Sequence, residues 1–367
     1  MVVKYQRFNF ILLLAFLVPL VGVATINYII DPYGIFAFPK INKVNNLKPE
    51  QKNTGRIYKS FDIRKIKPQI ILLGSSRVED GLSSQHPAFI KNEVNTYNLG
   101  FQAGNTYEIL RYLEHTINQQ PELKQVILGI DFFMFNKFLL NQNTFDEQRL
   151  SKAYPIEDSL NFLLSIDALN SSKNTLVTSW NREQPTLERP KKQFQFWLKE
   201  FLQNQQLYGQ YTLFQDRLND LHSIVDLCQQ RNIELKIFIS PTHATQYEAI
   251  AVAGLWTTFE QWKKEIVKIT PVWDFATYNS VTTEAINDRM EHYIDSSHYS
   301  EKTGDLVLNR VLAYDLEKVP EDFGILITEE NIEGHLNNNR LARKQWRNNA
   351  EDEVRLVKEI QKNLESK

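Results

Sequence analysis

The chain is 367 residues long with 42% hydrophobic content, enough to bury one large core or two modest ones. Its formal net charge of −2 provides no overall basic field of the sort that gathers nucleic acid, so nucleic-acid binding is set aside. With Cys228 as its single cysteine it forms no intramolecular disulfide, and LHSIVDLCQQR makes that cysteine a small apolar position on an amphipathic helix.

Taken in chain order, the first element is FNFILLLAFLVPLVGVATINYII, Phe8 to Ile30. It has no charged residue and is long enough to cross a hydrocarbon core of about 30 Å as a helix. Lys4 and Arg7 precede it, which favours a cytoplasmic N-terminus over residues 1–7, although Lys40, Lys43 and Lys48 beyond it weaken the bias. A large folded domain translocates largely regardless of such loop charges, so the bulk is expected on the extracytoplasmic, periplasmic side. A leader cleaved near Ala24, which would release a soluble protein, is the rival reading; the apolar run continues to Ile30, which favours an uncleaved anchor at 8–30.

Residues 31–66 are rich in Pro, Gly, Asn and Lys and read as a connector with turns, ending in the short amphipathic stretch Arg56 to Lys65. A main domain is expected over 67–318. Its strands are Gln69–Leu73, Asn95–Phe101 and Lys124–Phe133, with the helical period of Asn105–Asn118 between the last two. Less regular sequence from Phe135 to about Gln210 reads as a helical insertion. The helix Gln215–Asn232 then feeds the strand in ELKIFISPTH, FEQWKKEIVKIT feeds VWDFA, and a last helix starts with Ser300 as N-cap. Alternation of this kind predicts a three-layer α/β/α fold with a mainly parallel sheet and helices on both faces. The charged, Asn-rich stretch 319–367 reads as an exposed helical tail with a solvated face.

In an open parallel sheet, ligands bind outside the carboxyl ends of the strands. Those ends deliver Ser75, Ser76 and Arg77 after ILLG, Gly100 and Gly104 in the second βα turn, Asp131 after the third strand, and His243 after ELKIFISP. Asp295 and His298 stand three apart just before the last helix. A serine hydroxyl is a weak nucleophile that needs a base within hydrogen-bond reach, and the base needs a carboxylate to hold its tautomer. The sequence therefore offers a Ser–His–Asp set, with backbone N–H groups of Ser76 and Gly104 as oxyanion donors and His243 as a substrate-lining or structural residue. His292 beside Tyr293 has no further cluster of ligand spacing around it, so no metal and no cofactor is expected.

These residues carry a resemblance. G-S-S-R after the first strand, N-L-G-F-Q-A-G-N after the second and D-S-S-H before the last helix resemble the first, second and fifth blocks of the SGNH (GDSL-like) hydrolase superfamily over roughly Pro68 to Leu316. The resemblance implies that Ser76, not Ser75, is the nucleophile, that Asp295 and His298 complete the triad, and that Gly104 supplies an oxyanion donor. One anchor ahead of such a domain is similar to the membrane-anchored branch that includes the alginate O-acetylation proteins and the teichoic-acid D-alanylation protein DltD. That likeness implies a serine esterase or O-acyltransferase acting on an envelope or secreted glycan, with a membrane acyltransferase as partner. The family's third block, Gly-x-Asn-Asp, supplies an Asn side chain to the oxyanion hole, whereas this chain reads G-I-D-F with Asp131 at the Asn position. A carboxylate cannot donate there unless protonated. Two expectations follow: Arg77 pairs with Asp131 and offers its other N–H groups instead, so that Arg77→Ala lowers turnover far more than stability; or the oxyanion hole is lost and the domain is a non-catalytic scaffold that binds a glycan or a membrane partner.

Overall fold

The computed structural model of the chain describes residues 2–151, 156–181 and 190–366. Six strands form one sheet: β1 (Ile70–Ser75), β2 (Thr96–Phe101), β3 (Gln125–Ile130), β4 (Glu234–Ile239), β5 (Val272–Asp274) and β6 (Ile325–Ile327), in the order β2-β1-β3-β4-β5-β6. The first five run parallel and β6 pairs antiparallel with β5. Helices α1 (Val2–Ile30) and α2 (Gly55–Ile66) precede β1; α3 (Ser76–Gly81) and α4 (Pro87–Lys91) follow it; α5 (Thr106–Gln119) joins β2 to β3. Between β3 and β4 lie α6 (Glu147–Ser151), α7 (Ile156–Leu164), α8 (Ile166–Asn181), α9 (Pro190–Gln203) and α10 (Gln215–Gln230). Then come α11 (Ala244–Val252) and α12 (Trp256–Ile269) before β5, α13 (Glu301–Leu312) before β6, and α14 (Ile332–Asn349) and α15 (Glu351–Glu365) at the end.

The described residues divide into two compact units, one drawn from 1–65 and 144–186, the other from 66–143 and 187–367. The stretch read from sequence as one insertion, 135–210, is thus shared between them. Its middle helices belong with the N-terminal segment, while α9 belongs with the sheet.

In the sheet unit, β1 and β3 are buried along their whole length, as strands covered on both faces require. Their apolar runs, such as Ile70 to Leu73, each bury side chains worth about 1.5–3 kcal/mol apiece. The core they enter includes Leu72, Ile127, Phe238, Phe275, Val307 and Phe323. Close approach explains the glycines at the strand ends: a Cβ at Gly100 would lie 2.4 Å from the backbone nitrogen of Glu79, and one at Gly74 would lie 2.5 Å from Val78 Cγ2. Both let α3 lie directly on the sheet.

The tail differs from its reading as an exposed helix. Residues 325–327 add an antiparallel edge strand, and Ile332, Leu336, Trp346, Val354 and Val357 are buried. The charges on α14 and α15 hid an apolar stripe spaced widely enough to be overlooked. In the other unit, Tyr5–Ile30 is long and apolar enough to cross a membrane, with a mean hydropathy of 2.4.

Because β2 and β3 lie on opposite sides of β1, the chain reverses its winding direction there, and such a switch point opens a crevice at the carboxyl ends of β1 and β3. Ser76 and Asp131 follow those two strands.

Candidate active site

Two neighbouring serines leave β1 with different partners. Ser75 is the N-cap of α3: its Oγ accepts the Arg77 N–H at 3.2 Å and donates to Asp131 Oδ2 at 2.5 Å. Ser76, the first residue of the helix, points its Oγ at His298 Nε2, 3.0 Å away. The turn residue and the reactive hydroxyl are therefore adjacent but distinct.

The His298 loop is held from below. Tyr293 and Tyr299 bridge across it, Ile294 N–H donates to the His298 carbonyl at 3.0 Å, and Asp295 Oδ1 accepts the N–H groups of Ser297 and His298 at 2.7 and 2.8 Å. The same carboxylate meets His298 Nδ1 at 2.9 Å through Oδ2 and 3.1 Å through Oδ1. An ionised Asp295 only accepts, so Nδ1 carries the hydrogen and Nε2 of the neutral ring is left with a lone pair facing the Ser76 hydroxyl. Ser76, His298 and Asp295 are 8%, 6% and 4% exposed, so the relay is buried.

Arg77 ties the two sides together. Nη1 donates to Asp131 Oδ1 at 2.6 Å, and Nε and Nη2 donate to Ser297 Oγ at 3.2 and 3.1 Å. The guanidinium lies 5.2 Å from the Phe133 ring centroid and 5.6 Å from that of Phe201. Burial opposes its charge, but the Asp131 carboxylate and its hydrogen bond outweigh that, and the Arg77 pKa moves up. Beside it, burial pushes the Tyr208 hydroxyl up to about 12, so it stays protonated and neutral.

The expected oxyanion donors are unequal. Ser76 N–H lies in the first turn of α3, where backbone N–H groups lack intrahelical acceptors. Gly104 N–H instead donates to the Phe101 carbonyl at 3.2 Å, closing a turn in which Ala103 holds φ +48°. It reaches a bound oxyanion only by giving up that bond. Asp131, at the position expected to donate, accepts from Ser75 and Arg77.

His243 is completely buried as the N-cap of α11. Its Nδ1 accepts from Thr245 N–H at 3.2 Å, so Nε2 carries the hydrogen and donates to the Glu284 carbonyl at 2.6 Å. Both nitrogens are engaged in the interior, away from any substrate-facing surface. Burial lowers its pKa to about 4 against the ordinary 6.5. The unfolded chain therefore binds the proton first as pH falls. The stability that the neutral ring contributes is complete above about 6.5 and is lost progressively towards about 4, a span of about 3 kcal/mol. Urea titrations at pH 4 to 7 are expected to show that slope for the native chain, and a shallower one for His243→Asn, which keeps a capping side chain that does not titrate.

His292, the third histidine of this region, bonds Thr303 Oγ1 through Nδ1 at 3.0 Å and does not face Asp295. Sequence reasoning missed Trp197, whose ring stands edge-on to the His298 imidazole with centroids 4.9 Å apart, and Ser297, which receives Arg77. The spacing of Phe194, Trp197, Leu198 and Phe201 marked an amphipathic face on α9, but nothing in it said what that face would meet. Set against known proteins, the chain matches no family model and no curated sequence.

Proposed function

We propose that the chain is a serine esterase or O-acyltransferase of SGNH-like, three-layer α/β/α architecture, held by α1 in a membrane with its N-terminus cytoplasmic and its sheet unit extracytoplasmic. The observation that carries the reading is the unbroken hydrogen-bond chain Ser76 Oγ, His298 Nε2, His298 Nδ1, Asp295 at the carboxyl end of β1, with links of 3.0 and 2.9 Å. Ser76 Oγ attacks an acyl carbonyl as its proton passes to His298 Nε2. His298, now a cation held by Asp295, returns the proton to the departing alcohol and leaves an acyl-Ser76 ester. Water or a sugar hydroxyl then attacks that ester with His298 as base, which regenerates Ser76. An envelope or secreted glycan is the proposed acceptor, with a membrane acyltransferase as the proposed donor partner.

A second reading, a non-catalytic scaffold for a glycan or membrane partner, is favoured by one observation: Gly104 N–H is engaged and Asp131 replaces a donor, which leaves Ser76 N–H as the one expected donor in place. The full chain in detergent, treated with a fluorophosphonate and digested for mass spectrometry, separates the two. An adduct on Ser76 that His298→Ala abolishes is expected; folded protein without an adduct supports the scaffold.

A further inference from the structure

Helix α8 buries its small residues and exposes its large apolar ones. Its buried face is Ala168, Ser172, Thr175 and Ser179, whereas Ile166 and Trp180 are 73% and 66% exposed and Leu176 and Val177 are exposed as well, interleaved with exposed Asp167, Asn170, Lys173 and Asn174. A helix docked on a water-soluble core turns its large apolar residues inward and its hydroxyls outward. The reverse arrangement suits lipid, where small residues let two helices approach closely and acyl chains solvate the large ones. Helix α7 continues the pattern, leaving Leu160 and Leu164 exposed at its end.

The helix that this small-residue face meets is α1. Ser172 Oγ donates to Asn27 Oδ1 at 2.9 Å, and Asn27 Nδ2 donates to the carbonyls of Leu163 and Ser165 at 2.9 and 3.3 Å. These bonds fix the depth of the corner between α7 and α8. Asn27 precedes the end of α1 by three residues, about 4–5 Å along the axis. The corner is thus level with the last turn of the apolar stretch. At the far end of α8, the Lys43 ammonium lies 5.6 Å from the Trp180 ring, two residue types that favour the headgroup boundary. With 16 residues, Asp167 and Lys173 among them, α8 is too short and too polar to cross a bilayer, so it belongs along its surface.

We propose that the α7–α8 corner is a second membrane contact. It sits in the headgroup and upper acyl region of the bilayer that α1 enters, with Leu160, Leu164, Ile166, Val177 and Trp180 towards lipid. The proposal rests on α1 remaining in the membrane. A lipid occupant is favoured over a protein because the exposed residues continue the apolar surface of α1 at the depth set by Asn27.

Full-length chain carrying Cys228→Ser and one new cysteine, at Leu14 or Ile166, is labelled with a fluorophore and reconstituted in phosphatidylcholine/phosphatidylglycerol vesicles. Nitroxide lipids are expected to quench most of the emission at position 166 when the nitroxide is near the headgroup, and at position 14 when it is deep. Quenching at 14 but not at 166 overturns the lipid contact while leaving the anchor intact, whether or not a protein covers the corner. No quenching at either site overturns the anchor and the contact together. Tryptophan emission quenched by brominated lipids, and no longer quenched in Trp180→Phe, reads the same contact without a label; unchanged quenching in that variant counts against it.

Discussion

His298→Ala is expected to abolish ester turnover, by about 10⁶-fold in kcat if the relay behaves as an interdependent unit. Its Nε2 is 3.0 Å from Ser76 Oγ and its Nδ1 is held by Asp295, so removing the ring takes away both the base and the means of stabilising the charge it acquires. Ser76→Ala is expected to fall to the same floor, and the double variant no lower, since either loss disables the same step. Hydrolysis of a p-nitrophenyl ester by the full chain, with melting temperature as the fold control, measures this. Near-parental turnover in either single variant would remove Ser76 and His298 from the chemistry.

Asp131→Ala is expected to destabilise the fold by about 3–5 kcal/mol, because it leaves the Arg77 cation buried without its carboxylate. The pair is 2.6 Å apart with side chains 4% and 0% exposed, so little water can take the lost partner's place. Arg77→Ala is expected to carry a comparable penalty in stability, because it leaves the Asp131 carboxylate buried without its partner. Replacing both together, as Arg77→Met with Asp131→Leu, removes the uncompensated charge and is expected to recover most of the stability. Turnover is expected not to recover with it: Arg77 also holds Ser297, the residue before His298, so the double variant loses the tie between the turn of Ser76 and the loop of the base. Equal recovery of stability and turnover in urea titrations and ester assays would make the pair a purely structural device.

Much of the site was legible because its residues lie where chain direction alone puts them. Ser76 and Asp131 follow apolar strands whose ends are marked by abrupt changes in composition, and Asp295 and His298 precede a helix announced by Ser300, whose Oγ does accept from Thr303 N–H. Local pattern also placed the helix of Cys228, whose burial raises its thiol pKa to about 12. The pattern was silent where a residue's role depends on a distant partner. Nothing near Gly104 in sequence says that its N–H closes a turn onto Phe101, and nothing near His243 says that Glu284 lies 2.6 Å from its ring. The buried stripe of α14 and α15 failed for a related reason: few apolar residues among many charges read as a solvated face until another surface is there to cover them.

By itself, then, the sequence determined the alternation of strands and helices, the apolar N-terminal helix, and which strand ends carry a serine, an aspartate and a histidine, because each depends on residues within a turn or two of one another. Tertiary structure decided that Ser76 faces His298, that Asp131 pairs with Arg77, that Trp197 stands edge-on to the base, and that 144–186 folds with the N-terminal segment. Those outcomes rest on contacts between residues tens to hundreds of positions apart, and the order in which strands lie in the sheet, not the order along the chain, brings such residues within a hydrogen bond of one another.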